Sequence, residues 1–335
     1  NKLIDERRLK PRTVARYNYS YGKLIEFIGR DNFKIEVINL ALIKDMMRWL
    51  TVTDSTKRDV CATIASVWNY AIENELTTGV SPFKQFKYAK IYKMASRDYS
   101  IDLGNMMKLK EYWLNLVIVR DGSRWSYKDG AIAKIHKRTS EEFGIMYFLL
   151  MFYLNGSAPF DVAKLKAKDC SRVEIEGVDY WKVEFPRQKT GMSVSIRLKR
   201  DIFTIIALEH FLGESKEYIY PVVRWFDGMS PMQFQRQVNK TGESAIKWVK
   251  RAFEIINQET ITKKVETGID EPLVDISKVV LYTARHSFAT AYLNTPGCTV
   301  NGLASLLARS PNTISTYIKA LSADKDIASA VDFLY

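Results

Sequence analysis

A run of apolar residues near the middle of the chain constrains the fold most. The run "FGIMYFLLMFYL", residues 143–154, contains no charged side chain. A helix that is apolar on every side has to be buried. The run is also well short of the roughly 20 residues that cross a bilayer. It therefore predicts a buried helix inside a folded core rather than a membrane span.

The chain is long enough for two domains. Its 335 residues exceed what one small core usually holds, and we place the boundary near Ala95, between residues 1–95 and residues 96–335. Apolar residues recur at helical spacing in the first domain. Helices are predicted there over residues 13–28, 40–50 and 55–75.

The second domain is also predicted to be mainly helical, with one β-hairpin. Residues 180–185 and 194–198 alternate as strands do and flank a tight turn at Lys189, Thr190 and Gly191. Residues 120–130 are expected to form a polar loop. The predicted fold class is mainly α with a small β-hairpin or sheet, that is, α+β. Helices are predicted over residues 105–119, 143–154, from 160, 203–212, 231–239, 243–257, 283–294, 300–307, 312–321 and from 323.

The charge balance favours an anionic partner. Lys and Arg number 50 against 38 Asp and Glu, giving a net charge of +12 and a pI near 9.4. The first 98 residues hold 18 basic and 11 acidic side chains, a net +7. Nucleic acid is the first candidate. A membrane surface would need an amphipathic anchor or a lipidation signal, and we find neither.

Basic residues of the first domain are candidates for phosphate contacts. The domain ends in "KQFKYAKIYKMASRDYS", where lysines alternate with aromatic residues. This run is predicted to be an extended joint that follows DNA, or alternatively a solvated linker whose aromatic residues anchor in the second domain. The candidate DNA contacts are Lys10, Arg12, Arg16, Lys57, Arg58, Lys84, Lys87, Lys90 and Lys93.

Cysteine usage gives no sign of metal binding. Cys61, Cys170 and Cys298 lie far apart in the sequence, so neither a metal site nor a disulfide framework is expected. We predict a reducing, cytoplasmic location, associated with the nucleoid. The N-terminus has no signal-peptide pattern, and a chain that begins with Asn1 is expected to have lost an upstream segment.

Motifs near the end of the chain resemble those of a known family. "ARHSFATAYL" carries Arg285 and His286, and "VNGLASLLARSPNTISTYIKAL" follows it. Together they resemble the C-terminal signature of the tyrosine recombinase (phage integrase) family. Lys189 in "RQKTG" falls on that family's hairpin lysine, and "NGSAPFDVAKLKAKDC" falls on its "GLRxxEllxLkwxDi" block. The first domain, including "KPRTVARY", resembles the family's SAM-like core-DNA-binding domain.

The resemblance implies site-specific DNA recombination, as in a mobile-element integrase or invertase, through a 3′-phosphotyrosyl intermediate and without a cofactor. Tyr317 would be the nucleophile. Arg285 would hold the non-bridging phosphate oxygens with its planar guanidinium, and Lys189 would give a proton to the departing 5′-oxygen. Each side chain also has a structural alternative: a core-edge tyrosine, an ion-paired arginine and a solvated lysine.

Three of the six family positions differ in this chain. The first arginine falls on Ala158, or on Asn155 if the gap is placed differently. The catalytic histidine position, three residues before Arg285, holds Tyr282, which could keep a hydrogen bond in its place. The second histidine falls on Arg309 or Ala308.

A missing guanidinium would cost on the order of 10²–10³ in rate if nothing replaced it, by analogy with a lost oxyanion-hole donor. Arg309, Arg138, Arg172 or Arg187 could restore the charge. His286 is expected to brace the fold or the arginine by hydrogen bonding.

Family resemblance also implies that the two domains close around duplex DNA and that four protomers assemble on two sites, with a monomer possible without DNA. The segment 323–335 is expected to dock on a neighbouring protomer, or else on its own domain. Two other functions stay open: a catalytically impaired DNA-binding protein on the same scaffold, and a basic helical scaffold that binds RNA or acidic proteins.

Overall fold

The computed structural model describes residue 9 and residues 11–92, 99–188, 191–212 and 218–307. The chain divides into two compact units, Asn1–Ser96 and Arg97–Tyr335, and each has its own apolar core. Helices predominate in both, and the described strands all lie in the second unit. The predicted fold class, mainly α with a small sheet, is confirmed.

The first unit is a small helical domain. Asn39 caps one of its helices by accepting a hydrogen bond from the Leu42 N–H, and Thr53 caps another through the Thr56 N–H. Ile43, Met46 and Met47 lie at the centre of the core. The helices are α1 (Pro11–Ile28), α2 (Leu40–Trp49), α3 (Asp54–Glu73) and α4 (Tyr88–Ile91), with 3₁₀ turns at Ile35–Val37 and Pro82–Lys84.

The sequence predicted that the basic run at the end of this unit is extended, and for the described residues of the run this prediction is wrong. Pro82 starts a helical turn, and α4 follows it. Phe86 is buried in the core of the first unit, and Tyr88 and Tyr92 pack against the same core. These rings therefore anchor in the core of the first unit. Burial of the rings on the near core overrides the extended conformation that the alternating charges suggested.

A buried helix organises the second unit. Helix α7 (Glu141–Tyr153) starts at Ser140, whose hydroxyl accepts a hydrogen bond from the Phe143 N–H, and its residues 142–152 are all buried. The surrounding helices are α5 (Leu103–Val117), α6 (Ala131–Ile135), α8 (Pro159–Ala163), α9 (Ile202–Thr204), a π-helical turn (Ile205–Glu209), α10 (His210–Leu212), α11 (Pro231–Thr267), α12 (Thr283–Leu293) and α13 (Val300–Leu306). Helices α5, α11 and α12 pack on α7. None of the described helices combines the length and the apolarity that crossing a membrane requires.

Helix α11 is one continuous helix of 37 residues, where the sequence predicted two. The predicted break falls at Thr241 and Gly242, residues with weak helix propensity. Both are buried in the packed helix, and the Thr241 hydroxyl donates to the Val222 carbonyl at 2.8 Å. Tertiary packing therefore overrides the local preference. The helix ends at Gly268, which adopts a left-handed conformation.

Two antiparallel sheets complete the second unit. The larger one has the order β3 (Cys170–Ile175), β4 (Val178–Pro186) and β5 (Ser193–Lys199), and it contains the predicted hairpin. Val183 stands opposite Ile196, and both are buried. The pattern did not reveal β3, because its side chains are mostly exposed or half-buried.

The polar-loop prediction for residues 120–130 is wrong over residues 120–127, which form a hairpin. β1 (Ile118–Asp121) pairs with β2 (Arg124–Tyr127) in a short hairpin. Gly122 turns the chain between them with a φ of 57°, which a glycine adopts without strain. The side chains of both strands are mostly exposed or half-buried, and for this reason the composition of the segment resembles that of a loop.

Candidate active site

Arg285 is held at the head of α12 by two distant backbone carbonyls. Its Nη1 donates to the Gly156 carbonyl oxygen at 2.8 Å, and its Nη2 donates to the Leu307 carbonyl oxygen at 3.2 Å. The residue is only 3% exposed. Carbonyl oxygens carry no net charge, so these two bonds fix the direction of the guanidinium without cancelling its positive charge.

The turn after α7 is shaped to meet Arg285. Asn155 and Gly156 both adopt left-handed conformations, with φ of 51° and 60°. A methyl group at Gly156 would lie 3.0 Å from both Cα and Cγ of Arg285, which is closer than the roughly 3.5–4.0 Å of an ordinary carbon contact. Glycine at this position therefore allows both the backbone conformation and the close approach.

Tyr282 and His286 lie beside Arg285, as their spacing predicts. The Arg285 guanidinium carbon is 6.0 Å from the centre of the Tyr282 ring. The His286 ring meets Tyr282 edge-on at 5.1 Å and Tyr99 at 5.6 Å. Tyr282 is 37% exposed, so part of this residue faces the surface. A bracing role for His286 stays a prediction, and these ring contacts are consistent with it.

The position that lacks the family's first arginine is next to a buried ion pair. The Ala158 N–H donates to Asp161 Oδ2 at 3.4 Å, and Arg187 Nη1 lies 3.4 Å from the same oxygen. The Ala158 backbone nitrogen and Arg187 Nη1 are therefore separated by at most the sum of these two distances. The side chains of Arg187 and Asp161 are 6% and 4% exposed. Of the four replacement arginines suggested by the sequence, Arg187 is the one that the described structure connects to position 158.

Asp161 was missed as a site residue, although the sequence contained a signal. It stands three residues after Ala158, where the "GLRxxE" block has its acid. Its Oδ1 accepts the Gln188 N–H at 2.9 Å, so one carboxylate ties helix α8 to the end of β4. Gln188 directly precedes Lys189 in the sequence.

The other replacement arginines have partners elsewhere. Arg172, on β3, donates to Glu209 at 2.7 Å and stacks on Trp181 at 5.4 Å. Arg138 donates to the Gln237 side chain at 3.2 Å. Burial lowers the pKa of Arg138, and the nearby positive charge of Arg224 lowers it further.

Several predicted site residues lie outside the described residues: Lys189, Ala308, Arg309, Tyr317 and the terminal segment 323–335. The structure describes the residues next to two of them. The backbone carbonyl oxygen of Arg187 accepts a hydrogen bond from the Gly191 N–H at 2.7 Å, and these two residues stand on either side of Lys189 in the sequence. Leu307, which bonds Arg285, directly precedes Ala308.

The candidate DNA contacts of the first unit are at least partly exposed where they are described. Arg16, Lys84, Lys87 and Lys90 are exposed, while Lys57 and Arg58 are half-buried. The Lys57 ammonium lies 5.9 Å from the Tyr92 ring centre, which brings it beside the run that ends the unit. Lys10, Lys93 and the side chain of Arg12 are outside the described residues.

The donor set of the described residues offers no metal centre. Within that part of the chain, no three His, Cys, Asp or Glu side chains are grouped to hold an ion. The three cysteines are free thiols, and burial raises the pKa of Cys61 to about 12. Cys61 is therefore a thiol rather than a thiolate at neutral pH.

The first unit matches a known domain family, and the whole chain shares a known fold. Residues 1–88 match the phage integrase SAM-like domain. A solved structure of the Tn1549 transposon integrase in complex with a circular intermediate DNA covers 94% of this chain and 92% of its own, with 11% identity and a TM-score of 0.51. At this identity the likeness concerns the fold alone. No curated protein sequence matches the chain.

Two further structures align with lower scores. A second complex of the Tn1549 integrase with circular intermediate DNA is 12% identical and covers 94% of this chain and 92% of that one, with a TM-score of 0.48. XerA recombinase is 13% identical and covers 100% and 94%, with a TM-score of 0.33. Neither score is high enough to add to the argument.

The chain consists of a unit that matches the phage integrase SAM-like domain over residues 1–88, followed by a helical unit with small antiparallel sheets, and it shares its fold with a transposon integrase. The SAM-like match and the shared fold confirm the resemblance to the tyrosine recombinase family that the sequence motifs carry.

Proposed function

We propose that this protein is a site-specific DNA recombinase that cuts and rejoins strands through a covalent link between Tyr317 and a 3′-phosphate. The position of Arg285 is the observation that carries the proposal. Its two hydrogen bonds join the turn after α7, the head of α12 and the end of α13. The family motifs lie on these same parts of the chain, and Leu307 precedes Tyr317 by ten residues.

The chemistry needs three functions at one phosphate. The Tyr317 hydroxyl loses its proton to water as its oxygen attacks phosphorus, the bond to the 5′-oxygen breaks, and a phosphotyrosyl ester forms. Lys189 gives a proton to the departing 5′-oxygen. Arg285 holds the non-bridging oxygens as negative charge develops there. Attack by the 5′-hydroxyl of another strand then reverses these steps, so that the DNA is rejoined without net hydrolysis.

In this proposal, the guanidinium of Arg187 replaces the one that is missing at position 158. It shares the Asp161 carboxylate with the Ala158 N–H, and it lies two residues before Lys189 in the chain. Asp161 orients the guanidinium within this buried pair. Tyr282, half-exposed beside Arg285, takes the hydrogen-bonding role of the family's histidine.

The two units divide the work. Residues 1–95 contact the duplex through the exposed basic residues named above, and residues 96–335 carry the chemistry. Structural similarity to an integrase in complex with DNA supports duplex DNA as the partner. Four protomers on two DNA sites are the assembly that the family resemblance implies.

A suicide-substrate experiment tests the proposal. The full chain is incubated with a pool of nicked duplexes of randomised sequence, from which the short cleaved fragment diffuses away. A covalent adduct that survives detergent is expected from the wild-type protein, and none from Tyr317→Phe. Sequencing the trapped DNA then gives the target site. Tyr180→Phe, a tyrosine change on β4 outside the proposed site, is the matched control.

Two results would overturn the proposal. An adduct that persists in Tyr317→Phe would assign the nucleophile elsewhere. Tight duplex binding with no adduct would instead identify a DNA-binding protein that has lost catalysis along with the arginine at position 158. On the trapped substrate, Arg187→Gln should slow adduct formation on the order of 10²-fold, as the loss of one charge-stabilising donor does, and Arg187→Lys should restore only part of the rate.

A further inference from the structure

Two large aromatic side chains are exposed on the loop that leads into α11. Trp225 is 45% exposed and Phe226 is 46% exposed. Exposed aromatic residues next to each other are uncommon in a soluble protein without a binding role. We call this region the 218–230 loop. Its rings and the neighbouring cations together form what we call the aromatic–cationic surface, which consists of Arg138, Lys164, Tyr218, Arg224, Trp225 and Phe226.

The exposed rings rest on a fixed base. Trp225 meets Tyr218 edge-on at 5.4 Å and lies 6.4 Å from the ring centre of buried Phe234, on the first turn of α11. The Lys164 ammonium lies 5.0 Å from the Phe234 ring centre. Trp225 is thus held in place by packing on one side and open to a ligand on the other.

Positive charge surrounds these rings. The side-chain oxygen of Gln237 accepts hydrogen bonds from the backbone N–H of Arg224 at 2.7 Å and from the guanidinium of Arg138 at 3.2 Å. Burial lowers the pKa of Arg138, and the positive charge of Arg224 is close enough to lower it further. Among the described residues, no carboxylate forms an ion pair with Arg138, Lys164 or Arg224. Asp227, the acid of the 218–230 loop, is exposed. The surface therefore keeps a net positive charge.

The surface continues into the candidate active site through a chain of hydrogen bonds. Lys164 donates to the Gln188 side chain at 2.9 Å, and the Gln188 N–H donates to Asp161 at 2.9 Å. Asp161 pairs with Arg187. A DNA strand at the reacting phosphate would therefore reach the aromatic–cationic surface within a few nucleotides.

We propose that Trp225 and Phe226 stack on the bases of unpaired nucleotides beside the cut, while Arg138, Lys164 and Arg224 hold their phosphates. The inference rests on the proposed function, because strand exchange requires a cut strand to leave its complement before it pairs with a new one. Rings and cations in alternation are the features that bind single strands without reading sequence. In a duplex the base faces cover one another, and a ring meets them only by wedging between base steps.

Equilibrium binding of the full chain to two labelled probes tests this inference. The probes are a single-stranded oligo-dT of about 12 nucleotides, within the site sizes known for such surfaces, and a duplex of equal length. Trp225→Ala should weaken single-strand binding about 5- to 150-fold and leave duplex binding unchanged. Trp225→Phe should retain most of the affinity, because it keeps a stacking face. Ile261→Ala, an exposed apolar change in the second half of α11, is the matched control and should have no effect.

The charge part has its own readout. Arg224→Gln should lower the slope of log affinity against log salt by about 0.7 for the single strand, the value for one phosphate contact. Trp225→Ala should leave that slope unchanged. Equal losses on both probes for Trp225→Ala, or no loss on either, would overturn the inference.

Failure here is separable from failure of the proposed function. If the wild-type protein traps a covalent adduct but Trp225→Ala binds single strands normally, the recombinase proposal stands and the stacking surface does not. Circular dichroism melting of each variant shows that it is folded before its affinity is compared.

Discussion

Replacing Gly156 by alanine should disturb the candidate site more than its size suggests. The residue has a φ of 60°, and an L-residue in that conformation costs about 1–2 kcal/mol. The added methyl would also lie 3.0 Å from Cα and Cγ of Arg285. Overpacking of this kind costs about 1–3 kcal/mol more. We expect Gly156→Ala to lower the free energy of unfolding by the sum of these two effects.

Gly177 offers a matched control in the same unit. Its φ is 77°, and no atom lies within 4 Å of the position that a methyl would take. Gly177→Ala should therefore show the conformational cost alone. The difference between the two variants, measured by urea unfolding of the full chain, isolates the contact between Gly156 and Arg285.

A loss of function should accompany the loss of stability. Relief of the clash has to move Arg285, and misplacing a catalytic group by about 1 Å can cost on the order of 10²-fold in rate. Adduct formation on the trapped substrate should slow by about that factor in Gly156→Ala and stay normal in Gly177→Ala. Equal unfolding midpoints and equal adduct rates for the two variants would refute the account of how Arg285 is positioned.

Two further predictions concern ion pairs. Asp161→Asn should destabilise the protein by about 3–5 kcal/mol, because it leaves the buried guanidinium of Arg187 without its carboxylate. Asp45→Asn, in an exposed pair with Arg48, is the control and should cost less than about 1 kcal/mol. Chemical unfolding measures both losses, and similar values would contradict the argument from burial. Hydrogen bonds from Lys108 and Lys263 lower the pKa of Glu271 from its ordinary 4.5 to about 2. The stabilisation from this group is therefore fully present above about pH 4.5 and is lost as the pH falls towards 2. The free energy of unfolding measured over this range should depend less on pH in Glu271→Gln than in the wild-type protein. The same pH dependence in both proteins would argue against these bonds.

Much of the architecture could be predicted from local patterns. The apolar run at residues 143–154 predicted the buried helix α7, and its burial on all sides is what such a run requires. Helical spacing likewise predicted α1 and α12 to within two or three residues at their ends. The domain boundary that the sequence placed near Ala95 stays a prediction.

Two of the misses share one physical cause, which is that packing overrode local preference. Thr241 and Gly242 predicted a break, but their burial keeps α11 continuous. Alternating lysines and aromatic residues predicted an extended joint, but Phe86 is drawn into the nearest core. Strands β1 to β3 were missed for a different reason, because their side chains are mostly exposed or half-buried.

The sequence by itself determined which chemical groups the protein has: a basic chain, a helical scaffold, and the motif residues Tyr282, Arg285 and His286 on one helix and its N-terminal cap. Only the tertiary structure decided how Arg285 is held, through carbonyls at Gly156 and Leu307 that are 129 and 22 positions away. It also brought Arg187 to Asp161 across 26 positions. Every residue has a backbone carbonyl, so no pattern of side chains marks the one that a distant arginine will meet; folding alone selects it.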